Sequence, residues 1–295
     1  SGEDASLGKQ ILNSIRMALI DIKNNNIEIY PKDTRSDPDT TLRSALEFEK
    51  MGISLVIGPV FHKNLLFLDK VKNITFLSLT NKTLDLHKNI ISSGINSSSQ
   101  LNTIKKFLEK SEIKKTIFLI PNLNYDLEIK KGIKESKIKF FKQYNYDIDP
   151  TKLTKQIEKI TNYGIRKQNL LDEISRVEKS DDPNKEKIIE NLEKKYTLGK
   201  VKFDSVVIAD FDESLKSVVT SLLYTDVSPK NKLIITLNQW FDESLLKEKN
   251  LQPIYYPSIN KQNLDDFNNK FFKEFNYKPN YLSLLSYDLI GLIYY

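Results

Sequence analysis

The chain has 295 residues, 28% of them charged and 39% hydrophobic, with no cysteine and a formal net charge of +6. Such a length suits two domains or lobes, each with its own core. The lack of cysteine excludes disulfides and thiolate metal sites, and with only His62 and His87 a histidine-rich metal site is excluded too.

No apolar run of about eighteen residues occurs, so nothing in the sequence reads as a membrane span. The basic surplus is almost all lysine, scattered among asparagine and isoleucine, a mixture that A- and T-rich codons produce by themselves. Without a basic stripe interleaved with aromatics, nucleic acid is not an expected partner.

In chain order, the spacing of Ile11, Ile15, Ala18, Leu19 and Ile22 predicts a helix over 7–25. "IEIYPKD" then reads as a strand. In "DTRSDPDTTLRSALEFEKMGISLVIGP", Asp37 is placed to cap a helix and Pro38 fits its first position. Leu42, Ala45, Leu46 and Met51 recur at helical spacing, and Gly52 is placed to end the helix. "ISLVIG" is nearly continuous in apolar residues, the pattern of a strand covered on both faces. Because ligands in open α/β sheets sit beyond the carboxyl ends of strands, the following loop "GPVFHKN" is a binding-site candidate by position.

Strands are predicted at "ITFLSLT" (74–80), "NIISSGI" (89–95), "KTIFLIP", "IKFFKQYNY", "FDSVVIAD" (203–210) and "KLIITLN" (232–238). They alternate with helices at 100–110, 126–137, from Thr151 and at 213–223. This alternation predicts an α/β protein of two lobes, each a mostly parallel sheet with helices on both faces.

Residues 162–200 break the rhythm. Leu170, Leu171, Ile174 and Val177 line one helix, and Ile188, Ile189 and Leu192 another. "SDDPN" between them supplies a break, a fresh N-cap and a first-turn proline. The segment reads as an inserted helical hairpin, either a solvated decoration on its own lobe or a surface for docking a protein.

The sequence holds no G-x-S-x-G elbow, phosphate-binding glycine loop or H-E-x-x-H motif. Asp33 and Asp37 could form a metal pair, but capping is the better use of Asp37. Asp210 and Asp212 end a strand, where turn and cap duty explains them as well as function does. No catalytic residue, metal or cofactor is therefore assigned, and the chain is read as a non-enzyme.

"SGEDASLGKQILNSIRMALIDI", "DTRSDPDTTLRSALEFEKMGISLVIGP", "FLSLTN" and "SGINSSSQ" resemble the type 1 periplasmic solute-binding proteins, of which the Leu/Ile/Val receptors are familiar members; the resemblance covers essentially the whole chain. "NYGIRKQNLLDEISRVEK", "VKFDSVVIADFDESLKSVVTSLLYTDV", "NQWFD" and "FNYKPNYLSLLSYDLIGL" are more narrowly similar to the LpoA-like penicillin-binding-protein activator lipoproteins. Those proteins carry a charged helical insertion before a strand beginning F-D. The resemblance implies residues 1–96 and 255–295 in one lobe and 97–254 in the other, with the hairpin 162–200 inserted in the second. It also implies crossings at a hinge near Ile95–Ser99 and Pro253–Pro257, and an interlobe cleft able to hold a small molecule. In the family a strand precedes the segment that matches Ser1–Gly2, so that strand and any lipid anchor are expected upstream.

The family's ligand contacts, carried over, fall on His62 and Lys63 after "VIGPVF", on Ser78, Thr80 and Asn81 around "FLSLTN", on Tyr125, on Asp210, and on Gln239 and Trp240 after "IITLN". Amino-acid receptors have small hydroxyl residues where His62 and Lys63 stand. That departure, together with the insertion, favours a periplasmic regulator of a penicillin-binding protein. The alternative is a substrate-binding protein that delivers an amino acid or another small polar metabolite to an ABC permease.

Overall fold

A computed structural model describes residues 4–23, 26–123, 125–237 and 248–294. The chain divides into two compact units. One is built from residues up to Ser97 and from Ile259 onward, the other from Ser98–Ser258. Every sheet pairing between named strands is parallel, and helices flank both sheets, as the alternation of elements predicts.

The first unit begins with α1 (Ala5–Ile22), which turns Ile11, Ile15 and Ala18 inward at helical spacing. In α2 (Pro38–Lys50) the predicted cap forms: Asp37 Oδ2 accepts from the Thr40 amide at 2.7 Å, with Pro38 at the first position. Gly52 follows the end of this helix with φ of 77°, the left-handed region that favours glycine. Strands β1 (Leu55–Ile57), β2 (Thr75–Ser78) and β3 (Ile90–Ser92) lie side by side in that order. Alternate residues of β2 face opposite ways. Leu77 packs with α1 and with α10 (Tyr281–Tyr294), while Phe76 packs with Ala45 and Phe48 of α2. The unit is completed by α9 (Lys261–Phe275), whose Phe267 and Phe271 are buried.

Two expectations fail here. "IEIYPKD" is extended but forms no strand, because no neighbouring strand offers it a ladder. "ISLVIG" is not covered on both faces: Leu55 is exposed, Val56 and Ile57 are half-buried, and β1 is an edge.

In the second unit the sheet runs in the order β5 (Lys142–Tyr146), β4 (Thr116–Pro121), β6 (Ser205–Ile208), β7 (Leu233–Thr236), with Tyr255 adding a parallel bridge to Ile235. All six residues of β4 are buried, as a continuous apolar run with helices on both faces requires. Ile117, Leu119, Val206 and Ile208 pack on α5 (Pro150–Thr161) and α8 (Asp212–Tyr224). Phe118, Ile120 and Val207 face α3 (Ser97–Lys110) and α4 (Asp126–Ser136).

The inserted segment forms two packed helices, α6 (Tyr163–Glu178) and α7 (Lys185–Glu193), joined by Leu170, Val177 and Leu192. Leu171, expected on the same face, points to solvent. Pro183 lies ahead of the helix rather than in its first turn; Asp182 Oδ1 accepts from the Asn184 amide at 2.8 Å and α7 starts at Lys185. Arg166 fastens the hairpin. It is almost fully buried, and its guanidinium donates to the carbonyls of Thr161 and Thr225, to Thr197 Oγ1 at 2.6 Å and to Asp226 Oδ2 at 3.3 Å. Among the described residues no helix is long and apolar enough to cross a membrane.

Candidate functional site

The candidate residues fall into two groups, one at the carboxyl ends of the strands in each unit. In the first unit, Ser78 closes β2 and is fully buried. Its hydroxyl donates to the Pro59 carbonyl at 2.7 Å and accepts from the Thr80 amide at 3.3 Å. Thr80 is also buried: its Oγ1 accepts from the Lys82 amide, and its carbonyl accepts from Ser92 Oγ at 2.6 Å and from the Gly94 amide at 3.1 Å. A Cβ at Gly94 would stand 2.5 Å from that carbonyl oxygen, so the approach admits only glycine. Ser78 and Thr80 thus tie the ends of β2 and β3 to the loop after β1.

His62 opens a short 3₁₀ turn, with Nε2 3.3 Å from the Leu84 carbonyl. Lys63 is exposed and holds its ammonium 5.9 Å from the ring centre of Phe61, within cation–π range. Asn81 is exposed.

The second unit brings its residues together more tightly. Asp210 follows β6 and is only 2% exposed. Its Oδ1 accepts from Tyr125 Oη and from the Phe211 amide, both at 2.9 Å. Its Oδ2 accepts from Ser214 Oγ at 2.5 Å and from Tyr146 Oη. Tyr125 stands ahead of α4, Tyr146 is the last residue of β5, and Ser214 lies in the first turn of α8. The end of β5, the segment between β4 and α4, and the start of α8 therefore converge on one buried carboxylate that follows β6. Burial pushes the Tyr125 and Tyr146 hydroxyls far above the usual phenol range, and the negative charge of Asp210 pushes them further. Both phenols are fixed as donors, and each carboxylate oxygen is doubly occupied.

Tyr146 and Ser214 were not among the residues expected at this position. Ser214 had a signal, standing one helical turn after Asp210. Tyr146 had only its place at a strand end. Gln239 and Trp240, also expected here, lie outside the described residues. Among the described residues no group of three His, Asp or Glu could hold a metal ion.

No protein-family model matches the chain, and no curated protein matches it by sequence. Solved structures do. The C-domain of LpoA from Haemophilus influenzae, a regulator of PBP1A, superposes with a TM-score of 0.65 at 12% identity, over 100% of this chain and 83% of that one. Full-length LpoA from the same organism gives 0.64 at 13% identity, and there the chain spans 48% of its length. An ABC transporter substrate-binding protein from Desulfitobacterium hafniense in complex with Leu gives 0.58 at 12% identity, over 96% and 77% of the two chains. At these identities the likeness carries the fold, and the chain has the type 1 periplasmic binding-protein fold that LpoA and the branched-chain amino acid receptors share.

Proposed function

We propose that the chain is a non-enzymatic periplasmic protein that regulates a penicillin-binding protein, using a binding fold without an amino-acid site. The observation that carries this reading is the closed Asp210 carboxylate. An open receptor for a free amino acid needs an acceptor for the ligand ammonium and small donors for its carboxylate. Here the buried acceptor is occupied by two phenols, a serine and a backbone amide. The Ser78 and Thr80 hydroxyls hold backbone instead, and the resemblance puts His62 and Lys63 in the place of the compact hydroxyl residues of amino-acid receptors. The hairpin α6–α7, fastened by Arg166, supplies a rigid surface for a protein partner. Attachment through a lipid anchor upstream belongs to the same reading.

The test has two arms. Immobilised chain is exposed to the purified penicillin-binding proteins of its own organism, and saturable binding to one of them is expected. The twenty amino acids are screened by calorimetry, and none should bind with micromolar affinity, about −8 kcal/mol. Low-micromolar binding of leucine, isoleucine or valine, lost on Thr80→Ala or Tyr125→Ala, would establish the alternative of a receptor serving an ABC permease.

A further inference from the structure

The sheet of the second unit ends at β5, and among the described residues no strand pairs with its outer side. The Tyr146 carbonyl accepts from the Asn122 amide at 2.9 Å, so by the alternation of a parallel ladder Lys142, Tyr144 and Tyr146 turn their backbone groups toward β4. Gln143 and Asn145 then present their amides and carbonyls to the outside, where no described backbone group meets them. Asn145 is exposed and Gln143 half-buried. An open edge of this kind is a template for another strand.

The chemistry along this edge is polarised. Its start is basic and aromatic: Lys139, Phe140, Phe141 and Lys142 are all exposed, Phe140 at 42% and Phe141 at 51%. Neither lysine forms an ion pair with a described carboxylate; Lys142 holds its ammonium 4.9 Å from the ring centre of Tyr144 instead. Its end is acidic. Asp147 pairs with the exposed Lys152 at 3.0 Å, Ile148 is exposed, and Asp149 caps α5.

That polarity makes the strand complementary to itself in one direction only. A parallel copy would set lysine against lysine, and like charges directly opposite are destabilising. An antiparallel copy, with Tyr144 on a two-fold axis, sets Gln143 of each chain opposite Asn145 of the other as a hydrogen-bonded pair that exchanges both backbone bonds. Their side-chain amides lie on one face; Gln143 Nε2 donates to Asn145 Oδ1 at 3.3 Å within the strand, so each is of a kind to pair across the axis as well. The basic, aromatic start of one copy then meets the acidic end of the other. Unpaired lysines gain carboxylates, and exposed phenylalanines gain an exposed isoleucine. A two-fold contact closes at two copies and leaves no edge to extend.

We propose that two copies of this chain pair antiparallel through β5, with Tyr144 on the axis, and join their second-unit sheets into one. A second copy fits this edge better than an unrelated extended peptide does, because both halves of the charge match are carried by the same strand. The contact is short, so the association belongs to the weak, concentration-dependent class.

Sedimentation of the purified chain should show a monomer–dimer equilibrium with a dissociation constant of roughly 10–100 µM. Between dilute and concentrated samples the amides of Gln143 and Asn145 should gain about 10-fold protection from hydrogen exchange. Gln143→Pro removes an outward amide without touching the ladder to β4, and should weaken the dimer at least ~10-fold while the chain stays folded. Should that variant not fold, Lys139→Glu combined with Lys142→Glu, both at exposed positions, should weaken the dimer by as much. Because the chain has no cysteine, a single thiol is a clean reporter of the axis. Mild oxidation should link two copies through Tyr144→Cys, whereas Tyr196→Cys, exposed beyond α7, should give no linked dimer. A chain that stays monomeric across that concentration range would overturn the proposal. So would a dimer in which the Gln143 and Asn145 amides exchange freely, one that the proline and glutamate variants leave unchanged, or equal cross-linking through Tyr196→Cys.

Discussion

The two units are built on one plan and differ in how far their sheets are closed. In the second, β4 and β6 are interior strands with every residue buried, and apolar helices cover both faces. In the first, β1 is an edge with Leu55 38% exposed, beside a cavity lined by a second unpaired stretch. Their strand-end chemistry differs in the same sense. The second unit buries a carboxylate under four donors, whereas the first spends its hydroxyls on holding backbone turns. A closed sheet provides a rigid rim on which charge can be buried, because the donors cannot drift away from it.

The largest effect that would break this comparison is in the cores. Phe118→Ala, at a fully buried position of β4, should cost about 3–5 kcal/mol in urea unfolding. Leu55→Ala, on the exposed edge of the first unit, should cost less than ~1 kcal/mol. Equal losses would mean that the two sheets are equally closed.

Next comes the hairpin. Arg166→Met leaves Asp226 and the Thr225 carbonyl without their buried partner and should cost about 2–4 kcal/mol. Arg166→Lys should not restore the loss, since one ammonium cannot reach four acceptors on a planar fork. Full rescue by lysine would reduce the contact to simple charge.

Tyr146→Phe removes one donor from Asp210 and should cost about 1–2 kcal/mol, with the remaining three donors limiting the damage. A neutral result would mean that the carboxylate is not dependent on its full set.

The smallest effect separates the units by pH. Tyr287, in the first unit, donates to Asp21, and burial followed by that bond raises its hydroxyl from 10.0 to about 12. The folded state therefore keeps a proton that the unfolded state releases near pH 10. This contribution to stability is complete below pH 10 and is lost as the pH rises toward about 12. Tyr287→Phe should flatten the stability profile between those values only, whereas Tyr146→Phe should flatten it there and at higher pH as well, because burial and the Asp210 charge hold Tyr146 protonated beyond that window while the unfolded tyrosine ionises near pH 10. Identical profiles for the two variants would contradict the assignment.

How much of this was legible in the sequence depends on how local each determinant is. The Asp37 cap with Pro38 is decided within four residues, and it formed as read. "KTIFLIP" and "FDSVVIAD" are long enough apolar runs to declare buried strands. "IEIYPKD" has the composition of a strand, yet a strand exists only when another offers it a ladder, and no local pattern reports that. Leu171 matched the helical period and still faces solvent, because α7 covers only a narrow stripe of α6. Asp210 and Tyr125 were named from the resemblance and do meet. That Tyr146 joins them was hidden, because its sequence neighbours describe β5 and say nothing of the strand beside it.

The hairpin's anchor has a mechanical consequence. Helix α8, thirteen residues and about 20 Å long, carries Ser214 on the Asp210 carboxylate near its start. Just past its end, Asp226 grips Arg166 of the inserted hairpin. A load applied to α6 is delivered through that grip to the far end of one stiff rod, and the rod's near end rests on the buried carboxylate. Pulling on the insertion is therefore pulling on the Asp210 cluster, so the handle and the lock move as one piece.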